Sequence, residues 1–234
     1  MNSVQKIEIL YEDNHLIAVN KPAGLPVQGD ESGDTTLIEL VSAYIKETYA
    51  KPGNVFVGLV HRVDRPVSGI VLFAKTSKAL ARMNTMFQNR EVEKIYLAIV
   101  GEQPKELSGK LEHYILRDTK TNKSHAHQKP KKDAKLGVLS YELVGRTDNY
   151  FLLKINLETG RHHQIRCQLA KIGCPIRGDL KYGFPRSIPG GGINLHSYKL
   201  TFTHPVQKIP IEIVAPLPQN DILWKEFAQV VYSI

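Results

Sequence analysis

Short apolar segments of the kind that form strands dominate the chain, and helical spacing appears in a few stretches. Strands are predicted at residues 7–11, 16–19, 55–60, 70–74, 94–100, 110–116, 137–144, 150–157, 198–203 and 209–214. Helices are predicted from about Thr36, from about Ser77, over 161–172 and over 221–231. Thr36 and Glu39 resemble a capping box at the start of the first helix. The pattern therefore predicts a many-stranded α+β domain.

The composition adds an excess of positive charge. The chain has 234 residues, an apolar fraction of 42% and a formal net charge of +8. Such a surplus favours a polyanionic partner, because basic side chains that face phosphates release condensed counterions. The chain starts without the pattern of a signal peptide, and its apolar runs are too short to span a bilayer. We therefore expect a cytoplasmic protein that makes no membrane contact.

Two segments leave alternatives open. Cys167 and Cys174 are too few for a disulfide framework or a four-thiolate zinc site, and we expect buried thiols. Residues 120–135 have a loop-like composition with six lysines. This stretch is either a solvated surface loop or an arm that contacts phosphates.

A carboxylate between two arginines marks the turn at residues 61–69. Asp64 lies between Arg62 and Arg65, in a polar turn that links two predicted strands. One interpretation is a surface salt bridge. The other is a catalytic group, because turns between rigid strands often carry such groups. Neighbouring guanidinium groups favour an ionised carboxylate, which can attack a sugar carbon as a nucleophile.

A second polar segment, residues 157–166, combines a turn, two histidines and Arg166. Adjacent histidines invite a metal interpretation. On the predicted helix, however, His162 and His163 would point about 100 degrees apart, so they could not easily bind one ion. We therefore predict no metal site.

The two segments resemble signatures of RluA-type RNA pseudouridine synthases. Residues 61–69 are similar to H-R-L-D-x-x-T-S-G, and residues 159–166 to T-G-R-x-H-Q-I-R. Further similar pieces follow in the family's order: N-K-P-x-G at 20–24, K-x-Y at 94–96, G-D-x-x-Y-G at 178–183, L-H at 195–196 and F-x-H-P at 202–205. The resemblance covers about residues 7–215. The departures are Val63 for leucine, which should keep the packing, and Val67 for threonine, which removes a hydroxyl.

The resemblance implies a fold, an activity and a set of roles. The family fold is a large, mixed but mostly antiparallel sheet with flanking helices and a basic active-site cleft. We expect residues 1–234 to form a single catalytic domain, with two subdomains around the cleft as an option and no S4-type RNA-binding domain. The family isomerises uridine in ribosomal or transfer RNA, and this reaction requires neither a metal nor an organic cofactor. No obligate protein partner is evident.

The resemblance also assigns candidate residues. Asp64 would be the catalytic aspartate, Arg166 the arginine that pairs with it, and Tyr96 the tyrosine that stacks on the target base. Arg62 would enter the stack when the uridine flips out. The remaining candidates for RNA contact are Lys21, Arg65, Arg161 and His163.

Three other classes compete with this interpretation. A non-catalytic RNA-binding protein could keep the fold and would not require Asp64. A hydrolase of glycosidic bonds usually works with two carboxylates, and Glu158 or Asp179 could be proposed as the second. A metal-dependent nuclease would be stopped by a chelator.

Overall fold

A computed structural model describes residues 7–29 and 33–233. In chain order the strands are β1 (Glu8–Glu12), β2 (Leu16–Lys21), β3 (Gly58–Leu59), β4 (Ser68–Ala74), β5 (Glu93–Val100), β6 (Ser108–Asp118), β7 (Lys123–His127), β8 (Lys135–Arg146), β9 (Phe151–Leu157), β10 (Leu195–Thr203) and β11 (Pro210–Val214). The helices are α1 (Leu37–Thr48), α2 (Ser77–Gln88), α3 (Gln164–Lys171), α4 (Ile222–Glu226) and α5 (Ala228–Val231), with a 3₁₀ turn at Leu180–Tyr182.

The chain divides into two compact units. The first comprises Met1–Val92 and Ser197–Pro216, and the second comprises Glu93–His196 and Leu217–Ile234. In the first unit the strand order is β1-β2-β4-β10, with β3 beside β4 and β11 beside β10. In the second unit it is β5-β9-β8-β6-β7. The expected organisation as a single domain stays a prediction.

The core of the first unit forms where two apolar strands meet. β4 is buried along its whole length and pairs antiparallel with β2. Ala79 and Met83 of α2 pack on the same apolar cluster. The predicted capping box of α1 is present: Thr36 Oγ1 accepts from the Glu39 amide, and the Glu39 carboxylate accepts from the Thr36 amide at 2.8 Å.

The second unit is built from antiparallel pairs. β9 pairs antiparallel with both β5 and β8, and β6 pairs antiparallel with β7 and β8. Helix α3 packs against β6 and β7, where Cys167 and Ile115 are buried in one small cluster. These pairings and flanking helices confirm the predicted α+β class with mostly antiparallel strands.

Four predicted elements differ from the structure. The strand expected over residues 55–60 contains only β3, and residues 123–127 form β7 although they were predicted as loop. Helix α3 begins at Gln164 instead of residue 161, because His163 has a left-handed backbone with φ 51°. The C-terminal helix is divided into α4 and α5 at Phe227. Among the described residues, no helix is long and apolar enough to cross a membrane.

Candidate active site

The turn between β3 and β4 carries the predicted nucleophile, Asp64. Val63 and Val67 are both buried, and the Val67 amide donates to the Asp64 carbonyl oxygen at 3.0 Å. Asp64 itself is half-buried. Two apolar anchors therefore fix a turn that leaves the carboxylate partly accessible, and the valine that replaces leucine keeps the packing.

The exit of this turn is fixed by Gly69. Its φ of +103° lies in the left-handed region, and a Cβ there would collide with the backbone of Ser197. Only glycine allows β4 to start so close to β10. The glycine of the motif therefore has a steric origin.

Lys21 lies beneath the same turn and has no exposed surface. Its Nζ donates to the carbonyl oxygens of Pro22 at 2.9 Å, Leu25 at 2.9 Å and Arg65 at 3.0 Å. Burial lowers the pKa of Lys21 to about 7, although attraction to Asp64 raises it. The ammonium thus ties the loop after β2 to the turn. Its full burial does not favour the phosphate contact expected of Lys21, which stays a prediction.

The two arginines of the turn have different surroundings. Arg65 Nε donates to the Gly24 carbonyl oxygen at 2.9 Å, and its Nη2 forms an ion pair with Asp34. Arg62 is exposed. Arg65 therefore helps to hold the loop after β2 although it is also exposed, and the RNA contacts expected of both arginines stay predictions.

In the second unit, Arg166 of α3 is buried beside the carboxylate of Asp179. Its Nε and Nη2 donate to the two carboxylate oxygens of Asp179 at 2.7 and 2.8 Å. Its guanidinium carbon lies 5.0 Å from the centre of the Tyr182 ring. Bidentate pairs of this kind fix the direction of the guanidinium as well as its position. The expected pairing of Arg166 with Asp64 stays a prediction.

The histidine pair before α3 forms a stacked unit. The rings of His162 and His163 are 3.8 Å apart, because the left-handed backbone at His163 brings them together. This corrects the expectation that they diverge on a helix. His163 Nδ1 lies 2.8 Å from the Tyr182 hydroxyl, and burial, followed by repulsion from Arg166, lowers the pKa of His163 to about 2.

A buried, neutral His163 does not favour the predicted RNA contact, and we withdraw that assignment. Arg161 is half-buried, and its Nε donates to the Leu136 carbonyl oxygen at 3.0 Å. Tyr96 lies on β5 opposite Ile155 of β9 and is buried. Within residues 7–29 and 33–233, no three His, Cys, Asp or Glu side chains are grouped so that they could hold a metal ion.

Comparison with known proteins decides the family. A family model described as RNA pseudouridylate synthase matches residues 15–171, which include the turn of Asp64, the strand of Tyr96 and the helix of Arg166. The chain belongs to the RNA pseudouridylate synthase family. This assignment confirms the predicted resemblance and the predicted enzyme class, an isomerase that acts on RNA.

Curated members of the family are about one third identical to this synthase. An uncharacterized RNA pseudouridine synthase of Synechocystis sp. is 33% identical, over 92% of this chain and 66% of the relative. Ribosomal large subunit pseudouridine synthase D of Xylella fastidiosa is also 33% identical, over 92% of this chain and 67% of the relative. Synthase C of Vibrio vulnificus is 32% identical, over 94% and 69%. The chain thus spans about two thirds of the length of these relatives.

Two solved human structures share the fold. RNA Pseudouridylate Synthase Domain Containing 4 has a TM-score of 0.76 and 23% identity, and covers 96% of this chain and 92% of its own. RNA Pseudouridylate Synthase Domain Containing 1 also has a TM-score of 0.76, with 21% identity and coverage of 100% and 98%. Because both identities are below 25%, this likeness supports the assignment of the fold and nothing further.

Sequence reasoning missed the residues that surround Arg166. The sequence marks Tyr182 only as part of the G-D-x-x-Y-G motif, and it predicts a loop at Ser124. The signal was present in the spacing of Asp179 and Tyr182, because residues three apart lie on the same side of a 3₁₀ turn. No pattern in the sequence pointed to Ser124.

Proposed function

We propose that this synthase converts uridine to pseudouridine in structured RNA, with Asp64 as the group that attacks the target nucleotide. The observation that carries the proposal is the placement of Asp64: a half-buried carboxylate on a turn anchored by Val63 and Val67, with the Lys21 ammonium attracted to it. A rigid turn costs no reorganisation when the nucleotide arrives, which favours catalysis.

The proposed reaction detaches the uracil from the sugar, rotates it and rejoins it through carbon. Asp64 either adds to the sugar carbon or removes a sugar proton, and both routes begin from an ionised carboxylate. Rejoining at C5 releases the proton that this carbon carried. The chemistry balances without a redox partner, since substrate and product are isomers.

Three further residues complete the proposed site. Tyr96 stacks on the uracil, an interaction of about 1–3 kcal/mol per base. We assign Arg166 to the same reaction, as the arginine that the family resemblance pairs with the catalytic aspartate. Arg62, which is exposed, fills the place of the flipped uridine in the RNA stack, where a planar guanidinium can stack on the neighbouring base.

We propose that residues 117–135 contact the phosphates of the RNA. This segment contains seven Lys and Arg residues against two Asp residues. Five of its lysines are exposed: Lys120, Lys129, Lys131, Lys132 and Lys135. We propose ribosomal RNA as the first substrate to test, in the cytoplasm, since relatives are named for the ribosomal large subunit. Transfer RNA is the second.

Release of tritium from RNA labelled at uracil C5 tests the proposal. Wild type should release tritium to water without breaking the strand, and Asp64→Asn should lower the rate by roughly 10³-fold or more. Asp148→Asn is the matched control, because Asp148 is exposed in the turn between β8 and β9, outside the segment that we propose for phosphate contacts. Equal release by Asp64→Asn and wild type would contradict the role of Asp64. Strand cleavage or free uracil would favour a nuclease or a hydrolase.

A further inference from the structure

Residues 178–183 form a tight turn whose side chains contact Arg166. Leu180–Tyr182 is a single 3₁₀ turn that ends at Gly183, whose φ is +99°. Residues three apart eclipse each other in this type of turn. Asp179 and Tyr182 are three apart, and both side chains reach Arg166.

The two side chains hold different parts of the guanidinium. Asp179 accepts along the edge formed by Nε and Nη2, whereas the guanidinium carbon lies over the Tyr182 ring, 5.0 Å from its centre. The Arg166 and Asp179 side chains are only 5% and 1% exposed, so water does not weaken the pairing. The two hydrogen bonds to Asp179 fix the direction of the guanidinium, and the Tyr182 ring packs beside its central carbon. Together these contacts favour one position for the Nη1 side of Arg166.

Tyr182 is itself fixed by hydrogen bonds at its hydroxyl. The Ser124 amide donates to this oxygen at 2.7 Å, and His163 Nδ1 lies 2.8 Å away. Burial raises the pKa of Tyr182 and lowers that of His163, so the phenol keeps its proton and the imidazole is neutral. Tyr182 therefore donates to His163 while it accepts from Ser124.

Ser124 belongs to β7, the second strand of the basic hairpin that β6 and β7 form. Lys123 Nζ lies 5.2 Å from the centre of the same Tyr182 ring, and Lys181 Nζ donates to the Asn122 carbonyl oxygen at 3.1 Å. The hairpin is thus attached to the 3₁₀ turn by three separate contacts. The turn end of the hairpin and the Arg166 guanidinium therefore contact the same tyrosine.

We propose that Tyr182 is a positioning residue for Arg166, anchored through Ser124 to the turn end of the β6–β7 hairpin. This inference rests on the proposed function, because the catalytic role of Arg166 belongs to it. The hairpin that would hold RNA phosphates then also helps to position the guanidinium. A change at Tyr182 should slow the chemical step without weakening the binding of RNA.

The kinetic test compares Tyr182→Leu and Tyr182→Phe in single turnovers at saturating C5-tritiated RNA. Leucine removes the ring, and we expect a rate about 100-fold lower, the effect of a misplacement of about 1 Å. Phenylalanine keeps the ring but not the hydroxyl, and we expect a loss of about tenfold or less. The Kd for RNA should change by less than about threefold. Tyr141→Phe is the matched control: Tyr141 is also buried and donates to the Glu106 carbonyl oxygen, far along the chain from Arg166.

A second measurement follows Arg166 directly. The Nε–H signal of Arg166 in ¹H–¹⁵N spectra, assigned by its loss in Arg166→Lys, should exchange slowly with water in wild type. It should shift and exchange faster in Tyr182→Leu, and change less in Tyr182→Phe. Tyr141→Phe should leave it in place.

The outcomes separate this inference from the proposed function. If wild type releases no tritium, the proposed function fails, and the Nε–H signal still tests the positioning. If wild type is active and Tyr182→Leu keeps the wild-type rate, the inference about Tyr182 is overturned. A lower rate with an unchanged Nε–H signal would overturn it as well, because Tyr182 would then act on something other than Arg166.

Discussion

Replacement of Lys21 by methionine tests how a buried ammonium is held beside the catalytic turn. Methionine keeps the length and the apolar stem but removes the charge and the three donors. Two effects compete in wild type. Burial lowers the pKa of Lys21 from 10.5 to about 7, whereas attraction to Asp64 opposes this change. Which effect dominates decides how stability depends on pH.

The sign and the size follow from proton linkage. Between pH 7 and pH 10.5 the unfolded chain keeps the Lys21 proton that the folded chain has lost, so the free energy of unfolding rises with pH. Below pH 7 both states carry the proton and the contribution is constant. Each pH unit is worth about 1.4 kcal/mol when titration is complete. Since the folded state is only half-titrated near pH 7, we expect a rise of about 2 kcal/mol between pH 7 and pH 9.

Urea unfolding of wild type and Lys21→Met at pH 6, 7, 8 and 9 measures this effect. The methionine variant lacks the proton, so the difference between the two free energies of unfolding isolates Lys21. That difference should be flat from pH 6 to 7 and then grow in favour of wild type. Lys78→Met, which removes an exposed lysine of α2, is the control and should give no such growth.

A difference that stays constant between pH 7 and pH 9 would refute the reasoning. It would mean that the carbonyl oxygens of Pro22, Leu25 and Arg65, together with Asp64, keep the ammonium charged despite its burial. Charge-assisted hydrogen bonds are strong enough to make this a real alternative, at about 1.5–3 kcal/mol each. The experiment therefore decides between desolvation and hydrogen bonding at one atom.

Two other predictions concern the turn and the RNA grip. Gly69→Ala should lower the free energy of unfolding by about 3 kcal/mol or more, because φ of +103° and the Ser197 backbone both exclude a Cβ. Urea unfolding measures this free energy. Gly29→Ala is the control and should be tolerated, since a Cβ there meets no atom within 4 Å. Lys131 and Lys132 should both be replaced by glutamine. In this variant the slope of the logarithm of the RNA-binding constant against the logarithm of the salt concentration should be shallower by about 1.5. An unchanged slope in a titration with KCl would remove both lysines from the phosphate contacts.

Local signals in the sequence predicted the elements that local interactions determine. The capping box of Thr36 and Glu39 is present because its two hydrogen bonds join residues three apart. β4 was predicted because a strand buried on both faces has a continuous apolar sequence. By contrast, the sequence of β7 (Lys123–His127) shows no apolar alternation. The segment forms a strand because it pairs with β6, and a pattern in one segment does not reveal that pairing. The start of α3 was predicted too early because one left-handed residue, His163, carries no composition signal.

The site residues show the same limit. The motifs identified the segments that carry Asp64 and Arg166, but not how each group is supported. Lys21 looked like a surface cation because lysine is rarely buried. Its three acceptors belong to the backbone of Pro22, Leu25 and Arg65, and a backbone carbonyl has no identity in a sequence. The support of a charged group by backbone therefore could not be predicted.

Each unit of this synthase places a buried charge next to the group that we propose for catalysis. In the first unit Lys21 joins the loop after β2 to the turn of Asp64, and in the second Asp179 fixes Arg166. Burying a charge is costly unless hydrogen bonds compensate for it, and here Lys21 and Asp179 each form at least two hydrogen bonds. An apolar residue would be a cheaper anchor for a turn or a helix, but it could not set the direction of a charged group. Preorganised charge is what an electrostatically driven reaction requires, so the cost in stability is explained if Asp64 and Arg166 act on charge that develops in the nucleotide.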